Sequence, residues 1–138
     1  MSEPRTASTG RAAVGTTVTH RRYVSHAEAH YGGALLDGAY VLGLFGDVAT
    51  EMCLRTDGDE GLLAGYSSIA FRAPVKAGDV VEVTATITRV GTRSRTLDLR
   101  AYVCCRATPE VSESAGCVLD PPLLVVEAVA DVVVPPTA

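Results

Sequence analysis

Residues 80–90 (VVEVTATITRV) alternate apolar and polar side chains, with Val81, Val83, Ala85 and Ile87 on one face. Period-two alternation marks a strand with one face in a core and the other in solvent. Residues 91–95 then make a turn, and residues 96–107 return as the hairpin partner. Residues 62–73 and 123–134 read as further strands, the last rich in β-branched side chains. Residues 109–122 read as a polar loop. Residues 14–23 (VGTTVTHRRY) alternate roughly and supply a first strand.

Between the first strand and the others the period changes. Ser25 and Glu28 form S-x-x-E, a capping-box pattern that opens a short helical turn. Gly32 and Gly33 interrupt it. Residues 34–54 are almost continuously apolar or small, too long for a strand and free of proline, so they read as one long helix. Gly38, Gly43 and Gly46 each cost such a helix up to about 1 kcal/mol, which is tolerable where something packs closely against it. A helix that is apolar around most of its circumference must be surrounded. Residues 56–59 make the turn that follows. One glycine-studded helix wrapped by a curved antiparallel sheet is the economical packing. This is an α+β arrangement, the architecture of the hot-dog fold.

The chain has 138 residues, enough for one domain over residues 14–138. Residues 1–13 are polar and small and read as a disordered leader. Sixteen acidic against twelve basic side chains, with no basic block, exclude nucleic-acid binding. No apolar run approaches the roughly 20 residues of a membrane span, and a cytoplasmic location is expected. The four cysteines form no C-x-x-C pair and read as thiols of a reducing compartment. His26 and His30 are four apart but lack a third ligand, so no metal site is expected. No glycine-rich phosphate loop is present, and no nucleotide cofactor is implied.

A series of short motifs adds to this. In order they are Ala29-His30-Tyr31-Gly32-Gly33, Gly46-Asp47-Val48-Ala49-Thr50-Glu51, Asp57-Gly58-Asp59, Gly65-Tyr66, Phe71-Arg72-Ala73-Pro74-Val75, Gly78-Asp79 and Pro121-Pro122. The series resembles the β-alanyl-CoA and 3-aminobutyryl-CoA ammonia lyases, small hot-dog enzymes. The likeness runs from about Val14 to the last strand. It implies reversible elimination of ammonia from a 3-aminoacyl-CoA to give a 2-enoyl-CoA. CoA or a phosphopantetheine arm would carry the substrate. A homodimer is the minimum assembly implied, with a trimer of dimers as its extension. Many hot-dog thioesterases place a catalytic carboxylate within the long helix or at its start. Ala34 and Phe45 occupy those places here, which counts against simple hydrolysis.

The chemistry needs an oxyanion stabiliser, a general base and a group that handles the amine. Free amides at the helix start, near Gly32, Gly33 and Ala34, are the candidate thioester-binding groups. Asp47 and Glu51 are four apart and share a helix face. Glu51 is the candidate base and Asp47 its partner, with the roles exchangeable. Otherwise the two belong to a solvated stripe. His30 and Tyr31, beside the helix start, are candidate supporting catalytic residues. Arg93 and Arg95 on the hairpin turn, with Arg72 and Lys76, are candidates for the CoA phosphates. An acyl-CoA thioesterase and a non-catalytic acyl-thioester binder remain alternatives on the same fold.

Overall fold

The computed structural model describes residues 10–136. In chain order these form strand β1 (Thr17–Tyr23), two 3₁₀ turns (His26–Glu28 and Gly32–Ala34), helix α1 (Gly38–Asp57), and strands β2 (Leu62–Phe71), β3 (Val80–Val90), β4 (Ser94–Ala107) and β5 (Gly116–Val133). The strands make one antiparallel sheet in the order β1-β3-β4-β5-β2. This is the hot-dog arrangement.

Alternation places the core as the sequence pattern requires. Val81, Val83, Ala85 and Ile87 of β3 are buried beside Leu97, Leu99, Ala101 and Val103 of β4. From α1, Val41, Leu44, Phe45, Val48, Ala49 and Met52 pack down onto them. The other side of the helix is open. Ala39, Gly43, Asp47, Thr50 and Leu54 are exposed. A Cβ at Gly43 or Gly46 would meet nothing within 4 Å. The expectation of a surrounded helix therefore fails on one face within a single chain. Small residues had masked an outward stripe in an otherwise apolar run.

The helix also starts later than the apolar run. Gly33 and Ala34 both have positive φ, 73° and 62°, which no α-helix tolerates. The chain then bridges Leu35 to Lys76 before Asp37 caps the helix, its Oδ1 accepting from the Tyr40 N–H at 3.1 Å. At the far end Gly58 takes the left-handed cap and donates to the Leu54 carbonyl. The expected loop over residues 109–122 shortens to 108–115. Strand β5 begins at Gly116 and absorbs the remainder in an irregularity, its register passing from Val118 opposite Cys105 to Leu123 opposite Val103. Of the expected leader, residues 1–9 lie outside the described residues. The Gly10 N–H donates to the Arg55 carbonyl at 3.0 Å, and Ala12 packs against the core.

Two buried ion pairs anchor the ends of the sheet. Asp79 is fully buried and accepts from Arg106 Nε and Nη2 at 3.0 and 2.9 Å and from the Lys76 N–H at 2.8 Å. At the opposite end Arg95 donates to Asp57 Oδ1 at 2.7 Å. Strands β1 and β2 are the sheet edges, and β2 leaves Leu62, Ile69 and Phe71 exposed.

Candidate functional site

Helix α1 opens onto a cavity of about 550 Å³. Its floor is apolar, from Leu36, Val41, Val75 and Val126, all buried. Tyr31, Asp37 and Arg72 supply its polar groups, and the Phe71 ring forms one side. A concave apolar site with few convergent polar groups is the usual form of a small-molecule pocket.

Asp37 is central. Its Oδ1 is spent on the helix cap, while Oδ2 lies 4.0 Å from His30 Nδ1. The amides of Gly38 and Ala39 come next in the chain, in the first helical turn, where N–H groups lack intrahelical acceptors and the helix dipole favours negative charge. The Phe71 ring explains the glycine. A Cβ at Gly38 would stand 3.0 Å from Phe71 Cζ. His30 in turn packs edge-on to Tyr31, ring centroids 4.6 Å apart. The His30 and Tyr31 N–H groups both donate to the Leu35 carbonyl at 2.8 Å, so a tight loop holds the two side chains.

That loop is held from behind. Leu36 N–H donates to Val75 O at 2.9 Å, and Ala77 N–H to Ala34 O at 2.9 Å. Arg106 Nη2 also donates to Pro74 O at 3.1 Å. The buried Asp79–Arg106 pair therefore fixes residues 74–79, and these fix residues 34–36. Neither Asp79 nor Arg106 is among the site residues expected from the sequence. Asp79 had its signal in the Gly78-Asp79 motif. Arg106 had none, because it comes from a distant strand.

The expected oxyanion donors move. Gly32, Gly33 and Ala34 do not begin the helix. They form a separate turn, and the first helical amides are those of Gly38 and Ala39. The carboxylate missing from Ala34 and Phe45 is also present, as Asp37 at the helix cap. The argument against hydrolysis from those two positions therefore lapses.

Asp47 and Glu51 do share a helix face, but not with this cavity. They stand roughly 15 and 20 Å along the axis from Asp37, at 1.5 Å per residue. Glu51 Oε2 accepts from Arg55 Nε and Oε1 pairs with His20 Nε2, both at 2.8 Å. These bonds, that from Arg55 foremost, hold the Glu51 carboxyl below its ordinary value of 4.5. Asp47 is exposed and meets only Arg22, at 3.9 Å. His20 was not among the expected site residues. Its position opposite Glu51 depends on how β1 packs against α1.

The arginines divide. Arg72 lines the cavity and pairs with Glu127 at 3.2 Å. Arg95 is 7% exposed, donates to Asp57, Gly91 and Ser94, and is structural, so the surface role expected of it is corrected. Arg93, in the same hairpin as Arg95, reaches the carbonyl of Val134 just past β5, at the other end of α1 from the cavity. Lys76 is exposed and borders a second cavity. Among the described residues no three His, Cys, Asp or Glu side chains gather as a metal would require. Nor is any described helix long and apolar enough to cross a membrane.

Comparison with known proteins agrees with this fold. Residues 33–103 match the Thioesterase superfamily. The chain is 46% identical over 108 residues to a 3-aminobutyryl-CoA ammonia lyase of Acetoanaerobium sticklandii, covering 78% of this chain and 86% of that protein. It superposes on the β-alanyl-CoA:ammonia lyase of Clostridium propionicum with a TM-score of 0.83 and 31% identity, over 91% of this chain and 94% of the other. A hexameric hot-dog thioesterase of Campylobacter jejuni superposes with a TM-score of 0.69 at 14% identity, over 83% and 79% of the two chains, a likeness of fold alone.

Proposed function

The chain belongs to the Thioesterase superfamily, in its branch of CoA-linked ammonia lyases, and on that premise we propose that it eliminates ammonia reversibly from a 3-aminoacyl-CoA. The observation that carries this is the 46% identity to a 3-aminobutyryl-CoA ammonia lyase across 86% of its length.

The cavity supplies the parts. The thioester carbonyl points at the Gly38 and Ala39 amides, which stabilise the enolate oxygen. Asp37 Oδ2 takes the α-proton. The electron pair of that C–H bond forms the carbon–carbon double bond, and the pair of the C–N bond leaves with nitrogen, which departs as ammonia because the amino group enters the step protonated, as ammonium. His30, 4.0 Å from Asp37 Oδ2, relays that proton. The Tyr31 hydroxyl hydrogen-bonds the amino group. Nothing in this scheme calls for a metal or other cofactor.

The chain acts as a homodimer at least, with a trimer of dimers as its extension, and works in the cytoplasm. The open edge of β2 and the bare face of α1 support pairing. Asp47 and Glu51 reach a cavity only across such a pair, as the second copy's contribution.

The test follows enoyl absorbance and free thiol together in a mixture of 2-enoyl-CoA and ammonia. Loss of absorbance without thiol is the expected result. Thiol release identifies a thioesterase, a reading that Asp37 at the helix cap also suits. Neither signal, with CoA binding retained, identifies a binder.

A further inference from the structure

Away from its polar rim, the cavity beside Asp37 offers a ligand chiefly hydrocarbon. Leu36, Val41, Val75 and Val126 form its floor, and none of these side chains carries a polar atom. The backbone amides around them are spent. The Leu36 N–H donates to the Val75 carbonyl, and the Arg72 and Ala73 N–H groups share the Val125 carbonyl. Phe71 stands opposite Val126 in the pairing of β2 with β5, so side wall and floor share one sheet face. Its ring tip rests on Gly38, yet the residue is 57% exposed. We propose that this surface binds an alkyl tail on C3 of the substrate, so that the preferred substrates are 3-aminoacyl thioesters of more than four acyl carbons, with Phe71 as the residue that selects them. The proposal rests on the ammonia-lyase reading of the cavity and names the substrate class that reading leaves open.

Three observations carry it. First, the cavity exceeds a short acyl group. A 3-aminobutyryl group has six non-hydrogen atoms, which at roughly 30 Å³ each, the share of a water molecule, fill about a third of the 550 Å³. Second, the remaining space suits hydrocarbon. The pantetheine arm carries two amides, whose burial without hydrogen bonds is costly, and the floor has no side chain to pair with them. An alkyl chain has no such need and gains by leaving water. Third, Phe71 lies where the tail begins. Its ring touches Gly38, whose amide receives the thioester oxygen, and the residue before Gly38 is Asp37, which takes the α-proton. C3 is one bond beyond the carbon that loses this proton, so a tail on C3 starts within reach of the ring and covers a face that otherwise meets water. Behind the floor, residues 34–36 and 74–77, tied by backbone hydrogen bonds, part this cavity from the second one, which Lys76 and the 108–115 loop border. The tail is confined to one side of that wall.

The experiment compares 2-butenoyl-CoA with 2-hexenoyl-CoA as substrates for amination by wild type, Phe71→Leu and Phe71→Ala. Each methylene taken out of water is worth about fourfold, so wild type is expected to favour the hexenoyl ester by about tenfold in kcat/KM, through a lower KM. Phe71→Ala is expected to lose most of that preference through a raised KM for the hexenoyl ester, and Phe71→Leu to keep part of it. A wild type that aminates both esters equally, or favours the butenoyl one, overturns the proposal. So does a Phe71→Ala variant slowed equally on both, since that marks the ring as mere support for Gly38. Calorimetric titration of S-butyl-CoA and S-hexyl-CoA, thioethers that are neither aminated nor hydrolysed, tests the tail site independently of turnover. Equal affinity for the two thioethers rejects the site even if the lyase is active. Tighter binding of the hexyl thioether, lost in Phe71→Ala, in a protein that aminates neither ester supports the site and rejects the lyase.

Discussion

Helix α1 carries two groups of carboxylates, and their surroundings differ. Asp37 lies at the mouth of an apolar cavity, with one oxygen committed to the helix cap and the other 4.0 Å from His30. Glu51 lies three turns or more along the helix, gripped by Arg55 and His20. Side chains of one chemical type on one helix are thus set for different work. A carboxylate held charged by the hydrogen bonds of an arginine and a histidine is a weak base, whereas Asp37 keeps one oxygen unspent at the mouth of the cavity, where a substrate proton can reach it. The spacing of Asp47 and Glu51 identified a shared face but not what that face looks upon.

The largest expected effect breaks the comparison directly. Asp37→Asn keeps the helix cap, because asparagine caps as well as aspartate. It is expected to lower kcat by about 10²–10⁴, the range of general acid–base catalysis. Wild-type turnover in the amination assay, with an unchanged melting temperature, would falsify the role given to Asp37.

Next comes the support of each group. Arg106→Met leaves Asp79 charged and buried without its partner, and is expected to destabilise by about 3–5 kcal/mol in urea titration. Arg55→Met removes an exposed partner of Glu51 and is expected to cost no more than about 1 kcal/mol. Similar losses in the two variants would remove the distinction between a braced cavity and a solvated stripe.

Mixing sharpens the comparison further. If Glu51 serves the second copy's cavity, Glu51→Gln and Asp37→Asn are each inactive alone. Mixed and reassociated, they are expected to recover up to about a quarter of wild-type activity, because half the dimers then hold one intact site. Full activity of Glu51→Gln by itself assigns the outer stripe to solvent.

The smallest effect is one of pH. The Glu51 carboxyl is held below its ordinary value of 4.5 by Arg55 and His20. Its contribution to stability is therefore complete above that value and is lost as pH falls through the lower folded value. The gap in melting temperature between wild type and Glu51→Gln should close in that acid range. A gap that persists at the lowest pH contradicts the pairing.

Much of the fold was legible in the sequence, since burial of one sheet face imposes alternation and residues 80–90 display it without interruption. The start of α1 was not. The run from Ala34 is uniformly apolar or small, and only Asp37 marks the true cap. Asp37 was visible as a residue but not as a terminus, because the positive φ values at Gly33 and Ala34 depend on the bridge from Leu35 to Lys76. Tyr31 was placed at the site from the motif, while the amides were assigned four to six residues too early. Arg95 shows the opposite failure. A hairpin arginine reads as solvated, and only the fold brings Asp57 to its guanidinium. The partners of Glu51 and Asp79 were hidden likewise, since His20 and Arg106 arrive from other strands.

The wall between the two cavities has a consequence for redesign. It is a single ribbon of backbone hydrogen bonds, with Phe71 and Val126 on one side and Lys76 and the 108–115 loop on the other. Substitutions on the first side alter the room in the cavity beside Asp37, and those on the second leave that room unchanged. Libraries varied separately on the two sides should therefore combine additively, provided Asp79 and Arg106 are kept.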